Sequence, residues 1–223
     1  MMETSAIEIA RVLRPFLTEE RAARIDEVLA RRTRTVVPVI EGLVNIGNVS
    51  AVMRTAEALG YQDFHVITGG GKFKDSQRTS QGAEKWLDVY KWPSPADCVA
   101  HLRANGYRIL ATHLDSEARP IDTFDFTRPT AIVFGNERDG VSAEMLEAAD
   151  ERVILPIDGF VQSYNISVAA AMALYHAYRD RLERQGYHGD LTPHEIDELR
   201  ARFYMRSVRQ AERILTEAAE KRA

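Results

Sequence analysis

A chain of 223 residues, 45% of them hydrophobic, can build one large domain or one domain with appendages. Its single cysteine, Cys98, excludes an intrachain disulfide and any cysteine-ligated cluster, and the lack of an apolar run of about 18 residues or of a charged-then-apolar leader predicts a soluble cytoplasmic protein with no membrane span. The net charge of −4 argues against a polyanionic partner only as a whole-chain figure: residues 1–40 hold seven arginines against six acids, and the acidic excess lies in the middle of the chain.

The first forty residues predict two short helices. Ser5 with Glu8 is a capping-box pattern, and Pro15 ends the helix it starts. Thr18 caps the second, whose Ala22, Ile25, Val28 and Leu29 share a face. From Thr35 short β-rich runs alternate with helical patterns. Strands are predicted at Val36–Ile40, Phe64–Thr68, Tyr107–Thr112, Thr130–Phe134 and Arg152–Leu155, and helices near 48–59, 95–105, 142–149 and 163–182. This alternation implies βαβ units and a mostly parallel sheet covered on both faces, an α/β fold.

Tyr187–Leu191 reads as a linker. Thr192, Pro193 and Glu195 then supply the cap, the first-turn proline and the capping-box acid of a terminal helix. On one continuous helix, Arg202, Arg206, Arg209 and Arg213 fall within about 60° of each other. Such a stripe is either a solvated face or a phosphate-contacting one, and guanidinium forks suit phosphate oxygens.

Three stretches place Gly, Asn and Ser where a strand or loop gives way to a helix: Asn45-Ile-Gly-Asn-Val-Ser-Ala-Val-Met-Arg-Thr55, Phe134-Gly-Asn-Glu-Arg-Asp-Gly-Val-Ser142 and Leu155-Pro-Ile-Asp-Gly-Phe-Val-Gln-Ser-Tyr-Asn-Ile-Ser167. Such turns expose backbone N–H groups at a helix N-terminus, where ligands are held. In the first, Asn48 and Ser50 are candidate caps, and Arg54 shares a helix face with Ser50, Ala51 and Ala58. A half-buried arginine there needs an anion, either Glu57 or a more distant carboxylate or a substrate phosphate. In the second, Gly135 lets a ligand approach the main chain, while Glu137 either accepts from a ribose or base or pairs with Arg138. In the third, Leu155, Pro156, Ile157 and Gly159 make an apolar loop suited to an adenine, and Ser163 is either a helix cap or a site residue. The alanines 169–171 and 173 allow close approach of another backbone. Gly69-Gly-Gly-Lys72 lacks phosphate-loop spacing, no G-x-G-x-x-G follows the first strand, and the six histidines show no metal spacing.

In order, spacing and flanking apolar runs, the three stretches resemble the signature motifs of the SpoU group of knotted RNA ribose 2′-O-methyltransferases, over roughly residues 36–185. Ser80-Gln-Gly-Ala-Glu-Lys-Trp-Leu87 resembles a segment of the TrmH branch, which acts on tRNA; within it Lys85 and Trp86 either contact RNA or pack. Asn45-Ile-Gly-Asn48 departs from the Lys-Pro-His-Asn form of many TrmH proteins, and Tyr164 from a leucine. The resemblance implies a C-terminal trefoil knot holding S-adenosylmethionine along Thr112, Gly135, Leu155, Ile157 and Tyr164. It implies a reacting centre of Arg54, Asn48, Ser163, Asn165 and Glu137, in a homodimer where Arg54 and Asn48 of one subunit face the cofactor of the other. The expected layout is an N-terminal helical extension (1–34), a knotted catalytic domain (35–186) and a C-terminal helical extension (187–223). The extensions would grip tRNA, with Arg202, Arg206, Arg209 and Arg213 on the RNA. The expected reaction is methylation of a guanosine ribose in tRNA, at position 18 of the D-loop, without a metal. The alternatives are the same chemistry on ribosomal RNA and a non-catalytic RNA-binding module.

Overall fold

The structure is a computed structural model that describes residues 5–42, 46–69, 82–136 and 139–221. It divides into two compact units. One is drawn from both ends of the chain, Met1–Arg32 with Gly189–Ala223, and the other is Thr33–His188.

The central unit is built on a parallel sheet. Its strands are β1 (Val36–Glu41), β2 (Asp63–Ile67), β3 (Asp88–Trp92), β4 (Arg108–Thr112), β5 (Arg119–Pro120), β6 (Thr130–Phe134) and β7 (Glu151–Ile154), in the spatial order β3-β2-β1-β6-β4-β7-β5. Every pairing is parallel. The five strands expected from apolar runs all form. β3 and β5 go beyond those five: Asp88–Trp92 is a sheet-edge strand, half-buried with neither an apolar run nor alternation, and Arg119–Pro120 is a two-residue pairing.

Strand periodicity sorts the core into two layers. Val36 and Ile40 of β1 join Phe64, Leu110, Ile132 and Phe134 on one face, under α3 (Ile46–Leu59) and α6 (Ile166–Gln185). Val37 and Val39 join Ile109, Ala131 and Val133 on the other, under α4 (Pro95–Ala104) and α5 (Ala143–Ala148). Ala170, Ala173 and Ala177 are fully buried on α6, which packs on α3, so small side chains do bring these helices together. At the opposite end of the sheet from the motifs, Arg34 bridges Asp63 and Asp88, reaching Asp88 Oδ2 at 2.7 Å.

The terminal unit contains α1 (Ala6–Leu13), α2 (Glu19–Leu29), α7 (Pro193–Ser207) and α8 (Ala211–Glu220). The caps are as expected: Ser5 accepts from Glu8 N–H, Thr18 from Arg21 N–H, and Thr192 with Glu195 forms a full capping box. α1 packs on α7 and α8, and α2 on α7, burying Leu13, Ile25, Leu29, Leu199, Phe203 and Tyr204.

One expectation fails here. The terminal helix stops at Ser207, Val208 is extended, and Gln210 takes a left-handed φ of 59° before α8 begins. The chain turns so that Val208 and Ala211 are buried. Arg202 and Arg206 therefore share α7, Arg209 lies in the turn and Arg213 lies on α8, where it pairs with Glu217 at 3.3 Å. They do not form one helical stripe.

Candidate active site

Because the strands are parallel and in register, their carboxyl ends lie together. Val39 and Ile40 pair with Val133 and Phe134, Ala111 pairs with Val133, and Thr112 pairs with Val153. Gly42, Gly135 and Leu155, which follow β1, β6 and β7, and Thr112, which ends β4, thus lie at the carboxyl edge of four neighbouring strands. After β1 the chain passes to α3 on one face; after β6, its neighbour, it passes to α5 on the other. Such a divergence opens a crevice beyond the strand ends, the usual place for a ligand in a parallel sheet.

The second motif wraps tightly. Asn136 and Gly140 exchange backbone hydrogen bonds of 3.1 and 3.0 Å, and Asn136 Oδ1 accepts from Asp139 N–H at 2.9 Å. A Cβ on Gly135 would fall 2.0 Å from the carbonyl carbon of Gly140, so only glycine fits. Ser142 caps α5 by accepting from Met145 N–H. Sequence reasoning missed Glu41, a 6%-exposed acid at the end of β1 whose Oε2 accepts from Ser142 N–H at 2.9 Å. The available signal was a carboxylate closing an apolar run just before a turn glycine. Glu137 lies outside the described residues, as do Asn45, Ser80 and Gln81 of the quoted motifs.

The first motif differs from expectation in two ways. α3 already includes Ile46, so Asn48 sits in its first turn and Ser50 is buried inside it; neither is the cap. Arg54 is exposed; the buried residues of α3 are Val49, Ser50, Val52, Met53 and Ala56. Among the described residues none forms a hydrogen bond or ion pair with its guanidinium, so the structural pairing with Glu57 is not made.

The third motif is a loop closed at its base. Leu155 packs on the core and Ile157 is half-buried, while the Tyr164 hydroxyl donates to Pro156 O at 3.0 Å. The tyrosine in place of leucine therefore clasps the loop. Asn165 is the N-cap of α6, its Oδ1 accepting from Ser167 N–H at 2.9 Å and from the Ser167 hydroxyl at 2.6 Å. Capping is thus done by Asn165, and the exposed Ser163 is left clear of it. Thr112 is turned into the sheet, its hydroxyl donating to Val133 O at 2.9 Å. Arg152, beside it, is held by Asp115 and by Glu117 at 2.9 Å. Lys85 is exposed and Trp86 half-buried, its carbonyl accepting from Gln62 Nε2 at 3.1 Å.

Among the described residues no group of His, Cys, Asp and Glu could hold a metal, and no helix is long and apolar enough to cross a membrane. A parallel α/β sheet whose carboxyl edge carries the start of α3, the second-motif turn and the third-motif loop has the usual frame of a ligand-binding site.

Comparison makes the class specific. The family model described as SpoU rRNA Methylase family matches residues 35–175, and the chain belongs to that family. It is 41% identical over 161 residues to the tRNA (guanosine(18)-2'-O)-methyltransferase of Escherichia coli K12, covering 72% of this chain and 70% of that protein. It is 35% identical over 208 residues to the enzyme of the same description from Borreliella burgdorferi, covering 93% and 95%. Among solved structures, the A. aeolicus TrmH/SpoU tRNA modifying enzyme superposes with a TM-score of 0.78 at 33% identity, over 86% of this chain and 98% of that one. The SpoU methyltransferase AviRb of Streptomyces viridochromogenes, in complex with AdoMet, superposes with a TM-score of 0.59 at 29% identity, over 69% and 61%.

Proposed function

We propose that this chain transfers a methyl group from S-adenosylmethionine to the ribose 2′-oxygen of a guanosine in tRNA, at position 18 of the D-loop, in the cytoplasm. The observation that carries this reading is the likeness to the Borreliella enzyme, which extends through the terminal helices and is not confined to the catalytic core. The same breadth favours tRNA over ribosomal RNA.

The third-motif loop and the second-motif turn fit the donor. Gly135 offers bare main chain where a Cβ has no room, and Leu155 with Ile157 offers apolar walls for an adenine. Thr112 and Tyr164 border that pocket. The cofactor supplies an electrophilic methyl on a sulfonium. The protein must place the 2′-oxygen in line with it and manage the charge that appears as the hydroxyl proton leaves. A guanidinium holds its proton too tightly to be a good base. The exposed Arg54 is therefore assigned to the phosphate and the developing alkoxide, as an electrostatic stabiliser. Asn48, Ser163 and Asn165 orient the ribose, and Glu137 accepts from the ribose or base.

A homodimer belongs to this proposal. Arg54 is exposed, which suits service to a partner's cofactor. Val168, Met172 and Tyr175, spaced i, i+4 and i+7 on α6, are 40–54% exposed and form an apolar stripe that a second copy would cover. The knot is supported by sheet order: β7 is laid between β4 and β5, two strands consecutive in the chain and joined by residues 113–118. In the terminal unit, Arg202, Arg206, Arg209 and Arg213 are assigned to tRNA phosphates. The test is incubation of purified protein with labelled donor on tRNA and on ribosomal RNA fragments, followed by mass-spectrometric mapping of ribose methylation. Label at the D-loop guanosine is expected; label confined to ribosomal RNA rejects the tRNA assignment.

A further inference from the structure

Phe160 is 108% exposed, far beyond any other large apolar side chain among the described residues, of which Ile7 at 67% is next. A lone exposed apolar side chain means little by itself; its place in the fold decides here. Phe160 stands at the tip of the loop whose base is closed by the Tyr164–Pro156 hydrogen bond and anchored by Leu155 on the core. Around it Asp158, Gly159, Gln162 and Ser163 are exposed and polar or bare, and Val161 beside it is apolar and 63% exposed, so the loop tip stands in solvent. Ser163 is three positions further on, a reach of at most about 10 Å, so ring and hydroxyl can address a single nucleotide.

The site described above has hydrogen-bonding groups for a ribose, a cation for a phosphate and apolar walls for the donor's adenine. Among the described residues of the third-motif loop, the other aromatic ring, that of Tyr164, is half-buried and held at the loop base by its hydroxyl, which donates to Pro156 O at 3.0 Å. We propose that the ring of Phe160, free on both faces, is the platform on which the purine of the target nucleotide stacks once it leaves the D-loop. This rests on the RNA methyltransferase reading. Stacking is tolerant of base identity. Phe160 therefore sets how firmly the target nucleotide is held, and other groups choose guanosine.

The experiment compares wild type, Phe160→Ala, Phe160→Leu and Phe160→Trp in steady-state methylation of a tRNA transcript. Donor binding is followed by calorimetry and oligomeric state by sedimentation. Phe160→Ala is expected to lower kcat/KM for tRNA by about tenfold to a hundredfold, the range of one base–aromatic stack. Donor affinity and sedimentation should stay as in wild type, and Phe160→Trp should restore activity to within a few-fold while Phe160→Leu does not. Full activity in Phe160→Leu makes the contact merely apolar and overturns the proposal. A shift of Phe160→Ala toward monomer assigns the residue to a subunit interface and overturns it equally, as does unchanged kcat/KM in Phe160→Ala. A wild-type protein inactive on tRNA removes the methyltransferase assignment and this one with it, whereas an active wild type confines any failure to Phe160.

Discussion

Glu41 and Ser142 stand 101 positions apart, and a 2.9 Å hydrogen bond from Ser142 N–H to Glu41 Oε2 pins the start of α5 to the end of β1. The contact lies where the chain diverges to opposite faces of the sheet, so the buried carboxylate fixes the spacing of the first and second motifs. Glu41→Ala leaves a part-buried N–H unpaired, a cost of about 1 kcal/mol. It should weaken donor binding in calorimetry and lower the melting temperature. Glu41→Gln, which keeps an acceptor oxygen, should recover most of both.

Arg54→Ala removes an exposed side chain that has no partner among the described residues. Stability should therefore change by no more than about 0.5 kcal/mol. Turnover should fall by about a hundredfold to a thousandfold, as for other single groups that stabilise developing charge. Calorimetry should show donor binding intact. Wild-type turnover in this variant would remove Arg54 from the chemistry.

Gly135→Ala sets a methyl group 2.0 Å from backbone that is itself hydrogen-bonded in the Asn136–Gly140 turn. The expected result is a variant several degrees less stable that binds no donor. A crystal structure of Gly135→Ala with the turn unmoved would contradict the steric account.

For the terminal unit, the double change Arg206→Ala with Arg209→Ala should weaken tRNA binding and make its dependence on salt shallower by roughly two in log–log slope. Donor affinity should stay the same. An unchanged slope in filter-binding titrations removes these residues from the RNA footprint.

His65 offers a pH test. It is buried beneath Tyr90 and Trp92, and its Nδ1 accepts from Trp92 Nε1 at 3.0 Å, which requires that nitrogen to be unprotonated. Burial first, and the neighbouring His101 second, push its pKa down from 6.5 to about 3. The unfolded chain takes up this proton at a higher pH than the folded one. The contribution is therefore whole above pH 6.5 and is lost as pH falls from there toward 3. Melting curves between pH 7 and 5 should show His65→Phe losing less stability on acidification than wild type; parallel curves would assign the acid sensitivity elsewhere.

The strands that were legible are those buried on both faces, such as Val36–Glu41 and Thr130–Phe134, which read as continuous apolar runs. β3, at the sheet edge and only half-buried, lacks that signature. The exposure of Arg54 could not be read from its small neighbours: Ser50, four residues before it, is buried, while Ala58, four residues after it, is exposed, and the core face is carried by Val49, Val52, Met53 and Ala56. The break after Ser207 has no proline or glycine to announce it; it is set by what Val208 and Ala211 bury. Motif residues could be named through resemblance, but their meeting at one sheet edge depends on β6 lying between β1 and β4, an order no local pattern encodes.

The terminal unit also has a timetable. α1 and α2 are synthesised first, yet the residues that cover Leu13, Ile25 and Leu29 arrive with Leu199, Phe203 and Tyr204. At ordinary translation speeds the early helices wait roughly ten to thirty seconds with their apolar faces uncovered. The helical unit can therefore close only after the sheet-bearing middle has been made, and a ribosome stalled before α7 would release a chain whose amino-terminal helices are sticky and unfinished.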